Sequence, residues 1–431
     1  MMMNLTIREI SLSILLLLLA GAAAHFWRLG VPREIVFDEV HFGKFVTAYC
    51  CTHERFFDIH PPHGKLLIAG TARLLGYEGG HAFEHIGQPY GEISPIPLRL
   101  FPAVMGIILP LVIFYLLMEF GVSRPVAFLG GMALALDNAL LVQTRIIALD
   151  GILLAATFGS LLAFLKKQYV LAGALAGLAA GTKFTGLAAL GLLGGITFVH
   201  LIQSRDAKLW FKRGTLVLAS AFLVYLIGWW LHFALLTQPG PGDIWGVPTG
   251  HFISDTISLH KTMLGANYNL EATHPDESPW WSWPWMKNSI FYWSGSAGQV
   301  IYFLGNPLVW WGSALLFLIA VFDRVRKRMT NDQFTMTNLW IPLVGFLVAM
   351  LPFVRIPRAL FLYHYLTPLL FTLLFGFTWL DTQIPHRVRN WVVGAGVVSL
   401  AAVFFLFSPL TYGLTVSPEW LASLFWLPEW R

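Results

Sequence analysis

The chain has 431 residues, of which 56% are hydrophobic and 12% are charged, and its net charge is +5. This composition, with a mean hydropathy of +0.65, excludes an ordinary soluble globular protein and indicates an integral membrane protein. The excess of cations is explained by membrane topology and contact with anionic lipid headgroups, so a nucleic-acid partner is not expected.

Eleven apolar runs are long enough to cross a bilayer as helices, which takes roughly twenty residues each. The sequence therefore predicts an all-α membrane protein that forms a single domain over residues 1–431. The first run lacks a small-residue cleavage site before a soluble domain, so we expect it to be retained as a helix. The runs lie near residues 9–29, 97–119, 124–143, 146–166, 168–182, 185–203, 214–237, 299–322, 338–354, 359–380 and 390–408.

The distribution of Lys and Arg predicts the orientation of these spans. Short loops on the cytoplasmic side of a membrane are enriched in cations. A cytoplasmic N-terminus and an outer C-terminus satisfy this rule along the whole chain, and two long segments, 30–96 and 238–297, then lie outside. The inner cations are Arg8, Arg124, Lys166, Lys167, Arg205, Lys208, Lys212, Arg213, Arg324, Arg326, Lys327, Arg328, Arg387 and Arg389.

Both outer segments contain unusual residues. In the first, the spacing of Asp38, His41, Phe42 and Phe45 predicts one short helix, and a second is expected from Gly64 onward. Such amphipathic helices are expected to lie along the membrane surface. The second segment is rich in Trp at 274–285, which fits either an interfacial aromatic belt or a lid over a lipid or sugar.

The two cysteines and a series of glycines have structural interpretations. Cys50 and Cys51 are adjacent, a spacing that strains disulfide geometry, so no disulfide framework is expected. A series of glycines is expected to let helices pack closely. These are Gly173, Gly177, Gly181, Gly191 and Gly195.

Several strings, in the same order, resemble the protein O-mannosyltransferases, which are membrane glycosyltransferases of the C-type fold. The strings are FDEVHFGKF at 37–45, HPPHGKLL at 60–67, RIIALDGILL at 145–154, GTKFTGL at 181–187, SWPW at 282–285, GNPLVWW at 305–311 and FLYHYLTPLLF at 361–371.

The resemblance implies an inverting transfer of mannose from a polyprenyl or dolichyl phosphate to Ser or Thr hydroxyls of secreted or membrane proteins. It also implies eleven spans and a reaction on the non-cytoplasmic face. The chain departs from the family twice. It lacks the lumenal β-trefoil (MIR) insert of eukaryotic members, which leaves the acceptor open, and it has His63 where Leu is common.

The acidic pair in the first outer segment is the predicted catalytic centre. Ionisable groups beside a membrane span are costly and therefore indicate a functional site. A hydroxyl is a weak nucleophile, so its attack on a sugar benefits from a carboxylate that accepts the proton. Asp38 is the candidate base, and Glu39 is expected to orient the acceptor or a basic neighbour. The alternative is that the pair only caps a helix.

The leaving phosphate calls for fixed cations at the outer ends of spans. Arg358 is expected to open a helix whose N-terminal amides favour phosphate, with His364 and Tyr365 near it on the same helical face. Snorkelling to lipid headgroups and simple packing are the alternatives. The candidate donor-binding residues are Arg28, Arg145, Lys183, Arg355, Arg358, His364 and Tyr365.

Other polar residues complete the predicted site. Asp150 is expected to form a structural ion pair with Arg145 or another cation. The acceptor side is assigned to His41, His60, His63 and Lys65. These histidines and the acidic pair match no recognised metal cage, so no metal or other cofactor is predicted, and a divalent cation is the alternative.

Three functions stay open at this point. The first is transfer to protein Ser or Thr, the second is the same donor chemistry on a lipid or glycan acceptor, and the third is non-catalytic transport of a lipid-linked sugar. The expected location is the plasma membrane of a prokaryote, with the site facing outside. A dimer is left open.

Overall fold

The computed structural model describes residues 2–204, 206–269, 273–329, 339–356 and 358–431, and it describes side chains from residue 11 onward except those of residues 327–329. Four of the cations assigned to the inner side, Arg8, Arg205, Lys327 and Arg328, therefore lie outside the described side chains.

The described part of the chain is mostly helical. Its helices are α1 (Met2–Phe26), α2 (Glu39–Thr47), α3 (His63–Leu74), α4 (Ile96–Glu119), α5 (Arg124–Ala135), α6 (Asn138–Thr144), α7 (Asp150–Leu165), α8 (Tyr169–Thr182), α9 (Leu187–Gln203), α10 (Ala207–Leu235), α11 (Phe252–Asn269), α12 (Pro307–Met329), α13 (Trp340–Met350), α14 (Leu366–Gln383), α15 (Arg389–Tyr412) and α16 (Pro418–Ser423). The described residues also form one antiparallel hairpin that was not predicted, β1 (Ile290–Ser294) with β2 (Val300–Phe303).

Among the described residues, five helical stretches are long and apolar enough to cross a membrane. They become six when the bent pair α5 and α6 counts as one span. Shorter apolar helices include α7 and α8. The stretches are Ile96–Glu119, Phe184–Gln203, Ala207–Leu235, Pro307–Arg326 and Arg389–Tyr412.

Helix α4 lies at the centre of the bundle. Its central part is apolar, slightly more than half of it is buried, and it packs against α1, α5 and α7. Leu109, Ile113 and Phe114 are completely buried in this contact. In contrast, α10 and α15 keep most of their apolar surface exposed, as expected of helices that face lipid.

Close packing of α8 on α10 confirms part of the glycine prediction. A Cβ on Gly173 would lie 2.1 Å from the carbonyl oxygen of Val217, and one on Gly177 would lie 2.3 Å from that of Ala221. Any side chain at either position would force the two helices apart. Gly195 faces open space instead, so the prediction does not hold for every glycine in the series.

The predicted span at 124–143 is broken by a bend of 58° between α5 and α6. The Asp137 side chain caps α6 by accepting a hydrogen bond from the Leu140 amide. It also accepts hydrogen bonds from the Asn306 amide and from Nε1 of Trp310, both at 3.0 Å. This fully buried carboxyl thus fixes the bend and ties it to the start of α12.

The predicted span at 299–322 begins too early. Val300–Phe303 forms β2, and α12 starts only at Pro307. Hydropathy cannot distinguish a short buried strand from the first turn of a helix. The Asn306 side chain accepts a hydrogen bond from the Leu308 amide, and proline is favoured at the first helical position, so the helix begins there. The second segment that was predicted to lie outside therefore extends to about residue 306.

The first outer segment contains the two expected short helices, α2 and α3, and a disulfide that was not expected. Cys50 and Cys51 are bonded to each other, so the prediction based on their spacing is wrong. The pair lies in a π-helical turn, Ala48–Thr52, that continues α2. His53 then leaves this turn in the left-handed region, with φ of +57°.

Candidate active site

A cavity of about 210 Å³ lies where the two outer segments meet the ends of the spanning helices. The chain before α3, the N-terminus of α7, the turn after α8, the end of α11 and the segment before α14 all contribute to its wall. The lining residues are Ile59, His60, Asp150, Leu153, Lys183, Phe184, Thr185, Leu264, Asn267, Tyr268, Ala349, Phe353, Ile356, Arg358, Leu360, Tyr363, His364, Leu366 and Thr367.

An ion pair between Lys183 and Asp150 forms the polar wall of this cavity. Nζ of Lys183 lies 2.8 and 2.9 Å from the two Asp150 carboxyl oxygens. Nε2 of Gln143 donates to the same carboxyl at 2.6 Å, and the hydroxyl of Tyr292 donates to Gln143 in turn. The structural pair predicted for Asp150 is therefore present, with Lys183 and not Arg145 as its partner.

Asp38 lies close enough to this ion pair for both charges to act on it, although it is not among the residues that line the cavity. It is half-buried just before α2, and its side chain makes no capping hydrogen bond. The residues that the structure describes include no hydrogen-bond or ion-pair partner for its carboxyl, so helix capping does not account for it. Burial raises the pKa of Asp38 to about 6, an effect opposed by Lys183 and reinforced by the carboxylates of Asp150 and Asp58.

Phe37 sets the position of Asp38. It has a φ of +45°, which is unusual for a large side chain. Its amide donates a hydrogen bond to the Tyr292 carbonyl at 3.1 Å, and its ring stacks on Tyr292 with the centroids 4.1 Å apart. Strained backbone of this kind persists where the surrounding contacts hold it, and it is frequent at functional sites.

Glu39 differs from its neighbour because it is completely buried and fully paired. Its two oxygens accept hydrogen bonds from Nε and Nη2 of Arg99 at 2.7 and 2.8 Å. The Tyr90 hydroxyl and the amides of Val36 and Ile147 complete its set of donors. Glu39 thus orients a basic neighbour, one of its two predicted roles, and that neighbour is Arg99.

The structure separates the residues assigned to the acceptor side. His60 lines the cavity, and burial lowers its pKa to about 3, so its ring is neutral near pH 7. Lys65 is buried in an ion pair with Asp58 and donates to the His60 carbonyl at 2.7 Å. His63 is buried between α8 and α10, and His41 is exposed; neither is among the lining residues.

The predicted cations are also separated. Lys183 and Arg358 line the cavity, whereas Arg28 and Arg145 do not. Arg28 is exposed at the end of α1. Arg145 is buried, and its guanidinium donates to the backbone carbonyls of residues 25 and 27. Arg355 is likewise absent from the cavity lining.

Arg358 does not open a helix, contrary to the prediction. Phe361 is extended, with φ of −128° and ψ of 154°, so no helix can run from Arg358 through it. The helical structure begins with a 3₁₀ turn at Leu362–Tyr365, and α14 starts at Leu366. Arg358 and His364 still meet at the cavity, although they do not share a helical face.

Tyr365 and its neighbour Tyr363 have opposite environments. Tyr365 is buried against Trp310, and its hydroxyl is 3.4 Å from Oγ1 of Thr372. Tyr363 lines the cavity, with Nζ of Lys183 5.3 Å from its ring centroid. Tyr363 was not predicted, although it lies in the same FLYHY string as Tyr365.

The second outer segment contributes to the cavity in two ways. Leu264, Asn267 and Tyr268 at the end of α11 are lining residues, whereas no described tryptophan is. Trp283 instead stacks behind His364, with ring centroids 5.9 Å apart. The tryptophan string therefore packs behind the cavity wall, and the end of α11 forms part of that wall.

The alternative of a divalent cation at the site can be compared with the arrangement of its candidate ligands. Within the described residues, no group of three or more His, Cys, Asp or Glu side chains is arranged to hold a metal ion. His41, His60 and His63 have the separate environments given above. The charged groups at the cavity that the structure describes are thus those of Asp150, Lys183 and Arg358.

Comparison with known proteins identifies relatives of this chain. In Drosophila melanogaster, protein O-mannosyltransferase 1 is 36% identical over 249 residues, which are 53% of this chain and 28% of the relative. In Saccharomyces cerevisiae, dolichyl-phosphate-mannose–protein mannosyltransferase 4 is 33% identical over 253 residues, 52% of this chain and 33% of the relative. The aligned part of the chain thus spans about a third of the curated relatives it matches.

Solved structures show the same fold. The S. cerevisiae protein O-mannosyltransferase Pmt1–Pmt2 complex bound to the sugar donor superposes with a TM-score of 0.90 at 19% identity, covering 98% of this chain and 92% of that one. ArnT from Cupriavidus metallidurans bound to undecaprenyl phosphate superposes with a TM-score of 0.54 at 16% identity, covering 94% and 65%. At these identities the likeness concerns the fold alone.

Two family descriptions match consecutive parts of the chain. Residues 252–430 match the C-terminal four-transmembrane region of protein O-mannosyltransferase. Residues 14–237, more than half of the chain, match the family described as dolichyl-phosphate-mannose-protein mannosyltransferase. The chain therefore belongs to the dolichyl-phosphate-mannose-protein mannosyltransferase family.

Proposed function

We propose that this chain transfers a mannosyl group from a dolichyl or polyprenyl phosphate to Ser or Thr hydroxyls of secreted or membrane proteins. The observation that supports this most directly is the half-buried Asp38 carboxyl, unpaired among the described residues, beside the Lys183–Asp150 pair at the cavity wall. Family membership and the names of the matched relatives support the same activity.

Asp38 acts as the general base in this proposal. Its carboxylate accepts the proton of the acceptor hydroxyl while the oxygen attacks the anomeric carbon of the sugar. The bond from that carbon to the phosphate oxygen breaks on the opposite side, so the configuration inverts. The lipid phosphate leaves with the bonding electrons, and Asp38 afterwards releases its proton to solvent.

Lys183 and Arg358 stabilise the departing phosphate. Both line the cavity, and fixed cations directed at developing negative charge lower the barrier most effectively in a site with little water. Arg358 can offer two parallel donors to phosphate oxygens. His364 and the neutral ring of His60 add hydrogen-bonding groups without adding charge, which suits contacts with sugar hydroxyls.

The proposed setting is a multi-pass membrane protein with eleven spans, an inner N-terminus and an outer C-terminus. In this orientation the cavity opens on the non-cytoplasmic side, and the lipid tail of the donor stays in the bilayer. The excess of cations in the inner segments supports the orientation. The plasma membrane of a prokaryote as the location, and assembly as a dimer, stay predictions.

The decisive experiment identifies the molecule that receives radiolabelled mannose from the donor. The purified chain in lipid nanodiscs is mixed with polyprenyl phosphate carrying radiolabelled mannose and with a Ser- and Thr-rich peptide. We expect label in the peptide, at a β-eliminable linkage. Label in extracted lipid or glycan would support the alternative acceptor, and movement of labelled donor across a vesicle membrane without any product would support transport.

A further inference from the structure

The start of α3 lies against the two chain segments that carry the Lys183–Asp150 pair. His63 occupies a slot between α8 and α10, where one ring nitrogen is 3.0 Å from the Gly181 carbonyl oxygen and the other is 2.9 Å from that of Val224. A Cβ on Gly181 would lie 2.2 Å from the His63 ring, and one on Gly228 would lie 2.1 Å from it. The slot therefore fits the imidazole only because both positions lack a side chain.

Gly64 makes a second close contact with the same segments. A Cβ at Gly64 would lie 2.8 Å from Cγ2 of Thr182 and 2.9 Å from Cδ2 of Leu149. Thr182 directly precedes Lys183, and Leu149 directly precedes Asp150. The first turn of α3 thus touches the residues before both members of the ion pair.

From these contacts we infer that His63 and Gly64 are positioning residues, which hold the Lys183–Asp150 pair in place to receive the phosphate of the lipid donor. The inference rests on the proposed function for the identity of the ligand. The His63 hydrogen bond fixes the end of α8, and the missing side chain of Gly64 lets Lys183 and Asp150 approach each other. Neither residue lines the cavity, so both act through the pair.

A matched pair of variants in α3 tests this role. Gly64→Ala brings a methyl group into Thr182 and Leu149, whereas Gly70→Ala adds the same methyl group to the same helix where nothing lies within 4 Å. Equilibrium binding of polyprenyl phosphate, and of the uncharged polyprenol of equal length, is measured in nanodiscs. We expect Gly64→Ala to weaken phosphate binding about tenfold without changing polyprenol binding, and Gly70→Ala to change neither.

A double-mutant cycle shows whether the effect passes through Lys183. Lys183→Gln keeps a hydrogen-bond donor for Asp150 and removes the charge. In this background Gly64→Ala is expected to cause no further loss of phosphate affinity. An equal loss in both backgrounds, an equal loss for polyprenol, or no loss at all would overturn the inference.

His63 provides a second measurement that does not depend on the folding of Gly64→Ala. His63→Leu removes the ring that lies between the Gly181 and Val224 carbonyl oxygens and its N–H donor, whereas His63→Gln retains an amide donor. We expect about tenfold weaker phosphate binding for Leu and near wild-type binding for Gln, and equal affinities would contradict the positioning role. A wild-type chain that does not prefer the phosphate to the alcohol also overturns it, whereas failure of mannosyl transfer alone overturns only the proposed function.

Discussion

Asp38 and Glu39 are neighbours in sequence, yet the protein surrounds them in opposite ways. Glu39 belongs to a closed anchor, formed with Arg99 and Tyr90, in which each carboxyl oxygen receives hydrogen bonds. Asp38 lies beside the open wall that Lys183 and Asp150 form, although it is not itself a lining residue of the cavity, and its carboxyl has no partner among the described residues. A satisfied buried carboxylate holds the backbone in place, whereas an unsatisfied one is available to accept a proton.

Replacing Asp38 gives the largest expected loss of activity. Asp38→Asn keeps the shape of the side chain but removes the base, and general-base catalysis typically contributes about 10²–10⁴-fold. We expect the turnover number to fall by this factor while donor affinity and thermal stability stay near wild type. Retained turnover would exclude Asp38 as the base, and a loss of donor binding would assign it to the donor site.

Replacing Glu39 tests whether the closed anchor stabilises the fold. Glu39→Gln leaves the Arg99 charge buried without a counter-charge, and breaking a buried pair typically costs about 3–5 kcal/mol. We expect a lower thermal midpoint in detergent, with activity lost because folded protein is lost. The control is Glu78→Gln at the exposed Arg73–Glu78 pair, for which no measurable change is expected. If Glu39→Gln is stable but inactive, Glu39 participates in the chemistry.

The acidic pair could be singled out from the sequence because local signals are strong there. Charged residues beside apolar runs are conspicuous, and the spacing of Asp38, His41 and Phe42 predicted α2. The sequence could not distinguish the two carboxylates, since the partners of Glu39 come from Tyr90, Arg99 and Ile147, which are far along the chain. Arg99 itself lies in the apolar run 97–119, where its charge has no local explanation.

The differences between the expected and the observed placements have similar physical origins. Arg145 matched a family string, but its neighbours in space are backbone carbonyls of α1, which no local pattern reveals. Tyr363 was not singled out although it lies in the same string as Tyr365, and the 3₁₀ turn decides which of the two faces the cavity. β2 was taken for the first turn of a span because a short apolar run has the same hydropathy in either structure.

The raised pKa of Asp38 also predicts that the activity depends on pH. Burial raises the pKa of Asp38 to about 6, and only the ionised form can accept a proton. The value of kcat/KM should therefore rise about tenfold per pH unit below pH 6 and level off above it. Asp58→Asn removes a nearby carboxylate that raises this pKa, so the profile of the folded variant should shift to lower pH, although the change also leaves Lys65 without its buried partner and lowers the stability. A wild-type profile that is flat between about pH 5 and 8 would contradict the assignment, because an unperturbed Asp titrates near 3.9.

The smallest expected effect is the difference in donor KM between replacing a cation that lines the cavity and replacing one that does not. Arg358 lines the cavity, whereas Arg28 is exposed beside Trp27, with its guanidinium 5.8 Å from the ring centroid. Hydrogen bonds to charged groups are worth about 1.5–3 kcal/mol, so Arg358→Ala should raise the KM for the donor about tenfold or more, and Arg28→Ala should raise it less. If Arg28→Ala has the larger effect, the donor phosphate lies near the end of α1, on the side of Arg145. The open wall would then have to bind the acceptor, and the Lys183–Asp150 pair would orient a hydroxyl and not a leaving group.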